Sequence, residues 1–483
     1  MNAGLGSWPA RRAAISPDRV ALVFGSRVTT YRQMRDRTTR LAHRLRAAGV
    51  GPGDRVAYLG PNHPAFVETM FATHLLGGVF VPLNFRLTAP EVAYQLEHSG
   101  ARFLIHAPEC AEATAPTVMS LASYEEWLAG GESTPIEVPV ALDDPAFILY
   151  TSGTTGRPKG AVLTHGNVVW NCYNLLVGVD VAGDEVTLIG APLFHVAALN
   201  QCLLPTFLKG GRSVIMPAWD VDAAFDLIAA RRVTWMFGVS AMYAALARSP
   251  RWAGADLTSL RSLMAGGAAV PEALILAFQE RGLTFCQGYG MTETAPGATF
   301  LEARESTSHV GSAGVPVFFT EVRVDGDPGE VLVRGPNVTL GYWNDPAATS
   351  AAFTDGWLHT GDIASVDAGG HFHILDRLKD MYISGGENVY PAEVEAALFA
   401  HPAIAEAAVI GVPDARWGET GQAFLVPAPG HHIDLDDLRD FLRARLAKYK
   451  IPSHFEVVRD LPRTGSDKVR KSALRRGGPH RAS

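Results

Sequence analysis

Apolar residues along this chain fall into two alternating rhythms. Short runs read as strands: Arg55-Val-Ala-Tyr-Leu-Gly60, Gly78-Val-Phe-Val-Pro-Leu83, Arg102-Phe-Leu-Ile-His106, Arg212-Ser-Val-Ile-Met216 and Val233-Thr-Trp-Met-Phe237. Between them lie stretches with helical spacing. Phe66 to Leu76 is one. Tyr31 to Ala48 is another, with Met34, Leu41 and Leu45 on one face and arginines on a solvated face. Strands alternating with helices predict parallel sheets covered by helices.

After Thr320 the texture changes. Glu321-Val-Arg-Val-Asp325, Gly329-Glu-Val-Leu-Val-Arg334 and Gly370-His-Phe-His-Ile-Leu375 are short, alternating and separated by Gly/Asp turns, which predicts antiparallel strands. Beyond Asp376-Arg-Leu-Lys-Asp380 come a Gly-Gly turn, a helix from Pro391 to Phe399 and strands at Ala407–Ile410 and Ala423–Val426. A helix from Asp436 to Ala447 follows, and the tail from Arg475 onward reads as disordered. The predicted class is α/β. Residues 1–376 form a large N-terminal domain of parallel or mixed sheets covered by helices. Residues 377–380 connect it to a small α+β C-terminal domain, 381–483.

Composition narrows the function. The 483 residues are 47% hydrophobic and 19% charged, enough for more than one core. A net charge of −7 without a basic stripe argues against nucleic acid as a partner. No apolar run reaches the roughly 18 residues of a membrane span, and the N-terminus lacks the apolar stretch of a signal peptide. Cys110, Cys172, Cys202 and Cys286 make no C-x-x-C pair, and the histidines show no His-Glu-x-x-His spacing. The cysteines read as reduced, buried groups of a cytoplasmic protein.

The sharpest chemical signal is Tyr150-Thr-Ser-Gly-Thr-Thr-Gly-Arg-Pro-Lys-Gly160, which follows the strand-like Ala146–Leu149. Gly153, Gly156 and Gly160 let the backbone bend, and successive N–H groups can then share one anion-binding concavity. Thr151, Ser152, Thr154 and Thr155 add hydroxyl donors, and Lys159 adds a full charge. This is equipment for a polyphosphate. It is not a P-loop, because Arg157-Pro158 separates Gly156 from Lys159.

Four further clusters carry chemistry. Gln287-Gly-Tyr-Gly-Met-Thr-Glu293 follows a strand-like Leu283–Gln287. It reads either as an aromatic face for a purine with a carboxylate for Mg²⁺, or as a turn with a core tyrosine and a surface glutamate. Asp362, after Gly356-Trp-Leu-His-Thr-Gly361, reads as a ribose acceptor with Arg377 nearby, or as a turn cap. Ser384-Gly385-Gly386, ahead of Pro391, reads as a plain loop or as passage for a thin linear ligand. Leu461-Pro-Arg-Thr-Gly-Ser-Asp-Lys468, followed by a basic helix start, reads as a solvated terminus or as a presented lysine.

In this order and spacing, Tyr150–Gly160, Tyr289–Glu293, Thr360–Asp362 and Asp376–Glu395 resemble the adenylate-forming superfamily of acyl-CoA synthetases, adenylation domains and luciferases. The resemblance covers nearly the whole chain. Lys379-Asp-Met-Tyr-Ile-Ser-Gly-Gly-Glu-Asn-Val-Tyr-Pro-Ala-Glu393 is similar to stand-alone bacterial acyl-CoA ligases. Gly6–Pro9, Tyr58–Pro64 and Gly311–Thr320 are particularly similar to actinobacterial feruloyl-CoA synthetases.

That resemblance implies two half-reactions using ATP, Mg²⁺ and coenzyme A. A carboxylate attacks the α-phosphate of ATP, and the thiol of coenzyme A then attacks the acyl-adenylate. It implies that Thr151, Ser152, Gly153, Thr154, Thr155, Gly156 and Lys159 hold the β- and γ-phosphates. Gly266, Gly267 and Ala268 would line the adenine with Gln287, Gly288, Tyr289, Gly290 and Met291. Thr292 would contact the α-phosphate, Glu293 would bind Mg²⁺, and Asp362 with Arg377 would hold the ribose. Lys468 would bridge the two reacting anions. The small antiparallel region would be barrel-like. Lys379 would be the hinge of a mobile C-terminal domain that brings Ser384, Gly385, Gly386 and Glu387 to a pantetheine tunnel. His195 matches a gate for the thiol, although a histidine after Phe194 also reads as packed core.

His195, Ala197, Gln201, Gly288, Gly290, Ala295 and Pro296 would line the acyl pocket. Small residues and no cation fit a flat aromatic acid or a medium alkyl chain and disfavour a dicarboxylate. The actinobacterial likeness favours hydroxycinnamic acids. A fatty acyl-CoA ligase is the alternative, and the enzyme is expected to act as a monomer or homodimer. One departure stands out. The family's glycine before the lysine is Asp467 here, which would place a negative charge beside Lys468 and, in the extreme, leave only a nucleotide-binding protein.

Overall fold

The computed structural model describes residues 2–110, 112–113, 115–151, 158–179, 181–267, 270–384, 387–414, 417–463 and 469–475. They divide into two compact units. The first comprises residues 1–270, 274–322 and 333–359, and the second 271–273, 323–332 and 360–483.

Two large sheets organise the first unit. The seven-stranded one has parallel pairs at its centre, among Arg55–Leu59, Val79–Leu83, Ala101–His106, Thr117–Ser120 and Pro145–Thr151. Val79–Leu83 is buried throughout, as expected of a strand covered on both faces. The nine-stranded sheet is likewise parallel through Val186–Ile189, Arg212–Ile215, Trp235–Gly238, Ser262–Ala265 and Phe285–Gly290. Both sheets end in antiparallel strands at an edge, where a short turn can join neighbours without a crossover. The first unit's sheets are therefore mixed, with antiparallel pairs before Thr320 as well as after it, including the pair that flanks the predicted phosphate loop.

The helices follow the sequence closely. Tyr31–Ala47 starts at a Thr30/Gln33 capping box and buries Met34, Leu41 and Leu45. Its polar face is not all solvated, because Arg37 donates to the fully buried Glu68 at 2.6 and 3.0 Å and to Glu125. A buried carboxylate requires such a partner. Pro64–Leu75 is buried on every side, Glu68 and His74 included.

The region expected to be antiparallel forms a five-stranded, half-barrel sheet, in which Phe353–Thr354 and Phe372–Arg377 both pair antiparallel with Trp357–Val366. Further along the second unit, Tyr382–Ser384, Glu387–Val389, Ile404–Asp414, Gly418–Pro427 and His454–Val457 build another sheet. The helix Pro391–Phe399 matches its predicted bounds. The helix Leu435–Arg443 stops short of the expected Ala447. No helix among the described residues is long and apolar enough to cross a membrane.

Candidate active site

In the first unit, the strand Pro145–Thr151 pairs antiparallel with Lys159–Thr164, and Thr151 lies opposite Lys159. The predicted phosphate loop thus connects two hydrogen-bonded strands. Ser152, Gly153, Thr154, Thr155 and Gly156 lie outside the described residues. Gly160 serves close packing rather than a bend: a Cβ there would sit 2.6 Å from Ile148 Cγ2.

Lys159 does not stand alone. Its ammonium lies 5.0 Å from the centre of the Tyr342 ring, on whose face a cation is attracted. The Tyr342 hydroxyl donates to Glu293 Oε1 at 2.9 Å. Gly341–Tyr342 is itself a short strand beside Lys159–Thr164, and Thr339 N–H donates to the Glu293 carbonyl at 2.8 Å. Burial, with the Glu293 charge behind it, pushes the Tyr342 hydroxyl well above its ordinary pKa, so it stays a donor. Glu293 is buried, which excludes the surface-glutamate reading. A buried carboxylate fixed by a neutral donor suits a hard divalent cation. The sequence does not single out Tyr342; Gly341-Tyr-Trp-Asn344 carries no charge that would mark it.

The predicted adenine-lining segments meet at strand ends. Ser262–Ala265 and Phe285–Gly290 are parallel neighbours, with Ala265 opposite Gln287. Gly266 therefore follows directly beside Gly288, and a Cβ on it would lie 3.3 Å from the Gly288 carbonyl. Gly267 has φ +86°, and Ala268 lies outside the described residues. The carboxyl ends of parallel strands are where open α/β sheets place ligands. Tyr289 pairs with Thr299 across the hairpin, and Met291 N–H donates to Thr294 Oγ1 at 3.0 Å, turning the chain through Thr292 to Glu293. Gly290 is required by contact, since a Cβ would fall 1.6 Å from the Pro296 carbonyl oxygen.

The residues predicted to line the acyl pocket are only partly gathered. The Ala295 carbonyl accepts from Asn200 Nδ2 at 3.2 Å, which joins the Ala295–Pro296 segment to the π-helical turn Ala198–Leu203. Gln201 on that turn borders a cavity, and the space beside Gly288 is filled by Met264 and Phe300 of the same cavity. The His195 ring packs on Phe194 at 4.5 Å, and Ala197 immediately precedes the π-helical turn. Asn171 and Asn174 also border the cavity. Their signal was the spacing Asn167, Asn171, Asn174 on one face of the helix His165–Gly178.

In the second unit, Asp362 and Arg377 face each other across the hairpin, and Arg377 Nε lies 3.3 Å from Asp362 Oδ1. Gly361 takes φ +70° and donates its N–H to Glu330, which presents Asp362 at a tight corner. Asp376 caps the helix Pro391–Phe399 by accepting from Ala392 N–H at 2.7 Å. Lys379 is exposed, and its ammonium is held below its ordinary pKa by partial burial and by Arg377. Ser384 pairs with Glu387, so Gly385 and Gly386, outside the described residues, connect two strands of a hairpin. Asp467 and Lys468 also lie outside. The flanks of that segment are closed by a bridge between Arg463 and Val469 and by the Arg470 N–H to Pro462 carbonyl bond at 2.7 Å.

A sequence profile of AMP-binding enzymes matches residues 9–343, and one of the AMP-binding enzyme C-terminal domain matches residues 393–468. The chain belongs to the AMP-binding enzyme family. This AMP-binding enzyme is 53% identical to a feruloyl-CoA synthase of Amycolatopsis sp. over 490 positions, which cover 98% of this chain and 99% of the relative. It is 38% identical to a long-chain-fatty-acid–CoA ligase of Mycobacterium tuberculosis, with 96% of each covered. The solved o-succinylbenzoate CoA synthetase from Bacillus subtilis, in complex with its acyl-adenylate intermediate, superposes with a TM-score of 0.90 at 35% identity over 99% of both chains. The same synthetase with ATP and magnesium ion gives 0.88 at 34%, over 97% of this chain and 99% of that one. This AMP-binding enzyme is an AMP-forming acid–CoA ligase.

Proposed function

We propose that this ligase is a cytoplasmic enzyme joining a hydroxycinnamic acid (ferulate, coumarate, caffeate or cinnamate) to coenzyme A. The observation that carries the proposal is 53% identity to a feruloyl-CoA synthase along nearly the full length of both proteins. A carboxylate oxygen attacks the α-phosphorus of ATP and pyrophosphate leaves. The thiol of coenzyme A then loses its proton to solvent, the thiolate attacks the acyl carbon, and AMP leaves with the oxygen that attacked phosphorus. Activation is needed because a carboxylate has no leaving group of its own. The enzyme's task is to hold two anions together and to neutralise charge as it develops.

The Thr151–Lys159 segment would hold the departing phosphates. Tyr289, Gly266 and Gly267 would hold the adenine, Thr292 the α-phosphate, and Asp362 with Arg377 the ribose. Glu293, oriented by Tyr342, would hold Mg²⁺, which when bound offsets phosphate charge. Lys468 would serve the adenylation step. A hinge at 377–380 would then rotate residues 381–483 so that Ser384–Glu387 faces the pantetheine arm, with His195 admitting the thiol.

The second reading is a medium- or long-chain fatty acid. Its support is the 38% identity to a long-chain-fatty-acid–CoA ligase, a lower likeness than the 53% to the feruloyl-CoA synthase. The test is thioester formation from ferulate and from octanoate, each with ATP, Mg²⁺ and coenzyme A. Ferulate is expected to give the faster turnover at equal concentration. Turnover of octanoate alone overturns the proposal.

A further inference from the structure

Four polar side chains border one narrow cavity of the first unit: Asn171, Asn174, Gln201 and Thr299. The protein itself saturates three of them. Asn171 accepts from Gly297 N–H at 3.2 Å and donates to the Asn200 carbonyl at 2.9 Å. Asn174 accepts from Phe319 N–H at 2.8 Å and donates to the Thr320 hydroxyl at 3.1 Å. The Thr299 hydroxyl donates to the Ala313 carbonyl at 2.8 Å.

Gln201 differs. The residue is 5% exposed, and its Oε1 is shut off from solvent without a hydrogen-bond partner among the described residues. Leaving a buried acceptor unsatisfied is costly, and a ligand donor would remove that cost. It sits on a π-helical turn, a distortion that recurs at functional sites. The rest of the wall is apolar, including Leu175, Met264, Phe300 and Val317, and carries no cation.

We infer that Gln201 is the residue that reads a ring hydroxyl of the acyl substrate, the phenolic O–H donating to Gln201 Oε1. The inference rests on the proposed hydroxycinnamate activity and adds to it the atom that selects the ring substituent. Apolar walls accept the ring, and one buried acceptor at the wall accepts one donor. As it stands, the cavity has room for about one water molecule. The ring therefore enters as Met264 and Phe300 shift, and an unbranched methionine is the side chain best suited to give way.

The test compares kcat/KM for 4-hydroxycinnamate, 4-methoxycinnamate, cinnamate and octanoate, read as pyrophosphate release, in the wild type, Gln201→Leu and Gln201→Met. In the wild type the 4-hydroxy acid is expected to exceed cinnamate and the 4-methoxy acid by about 10- to 100-fold, the range for one buried hydrogen bond to a substrate hydroxyl. Both variants should collapse that ratio toward one. A ratio is taken within one preparation, so loss of folded enzyme cancels. Equal wild-type values for 4-hydroxycinnamate and cinnamate overturn the inference, as does an undiminished ratio in both variants. Wild type that activates octanoate and no cinnamic acid overturns the underlying reading, and the inference falls with it. Hydroxycinnamate turnover with an unmoved ratio overturns the inference alone.

Discussion

Two segments of this enzyme each end at a lysine of interest, and they are anchored in opposite ways. Around Lys159 the fixing groups are neutral. A backbone ladder runs to Thr151, the Tyr342 ring lies under the ammonium, and the strand leads directly into His165, buried against His74 with the ring centres 4.9 Å apart. Around the segment that includes Lys468 the fixing groups are charged. Arg463 meets Glu406 at 2.6 Å, Lys471 meets Glu395 at 2.9 Å, and Arg475 meets Asp380 at 2.9 Å. Burial pushes the Lys471 ammonium down, but Glu395 and Asp376 outweigh it and hold the pKa above its ordinary value. Neutral anchoring tolerates salt and fails on protonation. Charged anchoring fails when one partner is removed.

The largest effect should come from removing one partner. Glu395→Gln leaves Lys471 buried opposite a neutral amide and also weakens the bond that Glu395 accepts from Val409 N–H at 2.7 Å. Denaturant unfolding should show a loss of about 3–5 kcal/mol. A loss below about 1 kcal/mol would erase the distinction between the two segments.

Acid should strike the other segment. Burial lowers the His165 pKa to about 4, and burial with His165 beside it holds His74 well below its ordinary value. The unfolded chain binds these protons near pH 6.5, so the stabilisation is complete above that value and is lost as pH falls toward 4. For His165 alone it is worth roughly 3 kcal/mol. Unfolding free energy measured from pH 7 to 4.5 should fall more steeply in the wild type than in His165→Gln. Parallel slopes would contradict neutral anchoring.

Tyr342→Phe tests the link between Lys159 and Glu293. It keeps the ring and removes the donor to the carboxylate. The Mg²⁺ concentration for half-maximal adenylation should rise roughly 10-fold, the lower end for losing a group that orients a metal ligand. Unchanged Mg²⁺ dependence would separate Tyr342 from the site. The smallest effect is expected at Asp467→Gly, where removing a negative charge beside Lys468 should speed single-turnover adenylation by up to about fivefold. Equal rates would sink that idea.

Much of this was legible from residues alone. Strand runs such as Gly78–Leu83 and the helix Pro391–Phe399 announce themselves because burial on both faces, or a proline at a helix start, leaves a local trace. Asp362 and Arg377 were legible as a pair because a hairpin brings positions fifteen residues apart into register. Tyr342 was not, since it reaches Glu293 through a strand pairing between residues 161–162 and 341–342 that no local pattern encodes. The role of Gly160 was misread as bending for the same reason: the atom that excludes a side chain, Ile148 Cγ2, comes from elsewhere in the chain. Arg37 looked solvated because its partner Glu68 sits inside an apolar helix 31 residues away.

The most direct test of the account is isotope transfer. Ferulate labelled with ¹⁸O in its carboxylate is turned over with ATP, Mg²⁺ and coenzyme A, and the AMP is weighed by mass spectrometry. An acyl-adenylate pathway on this acid puts one labelled oxygen into each AMP. AMP released without label, or no ferulate-dependent AMP at all, would contradict it.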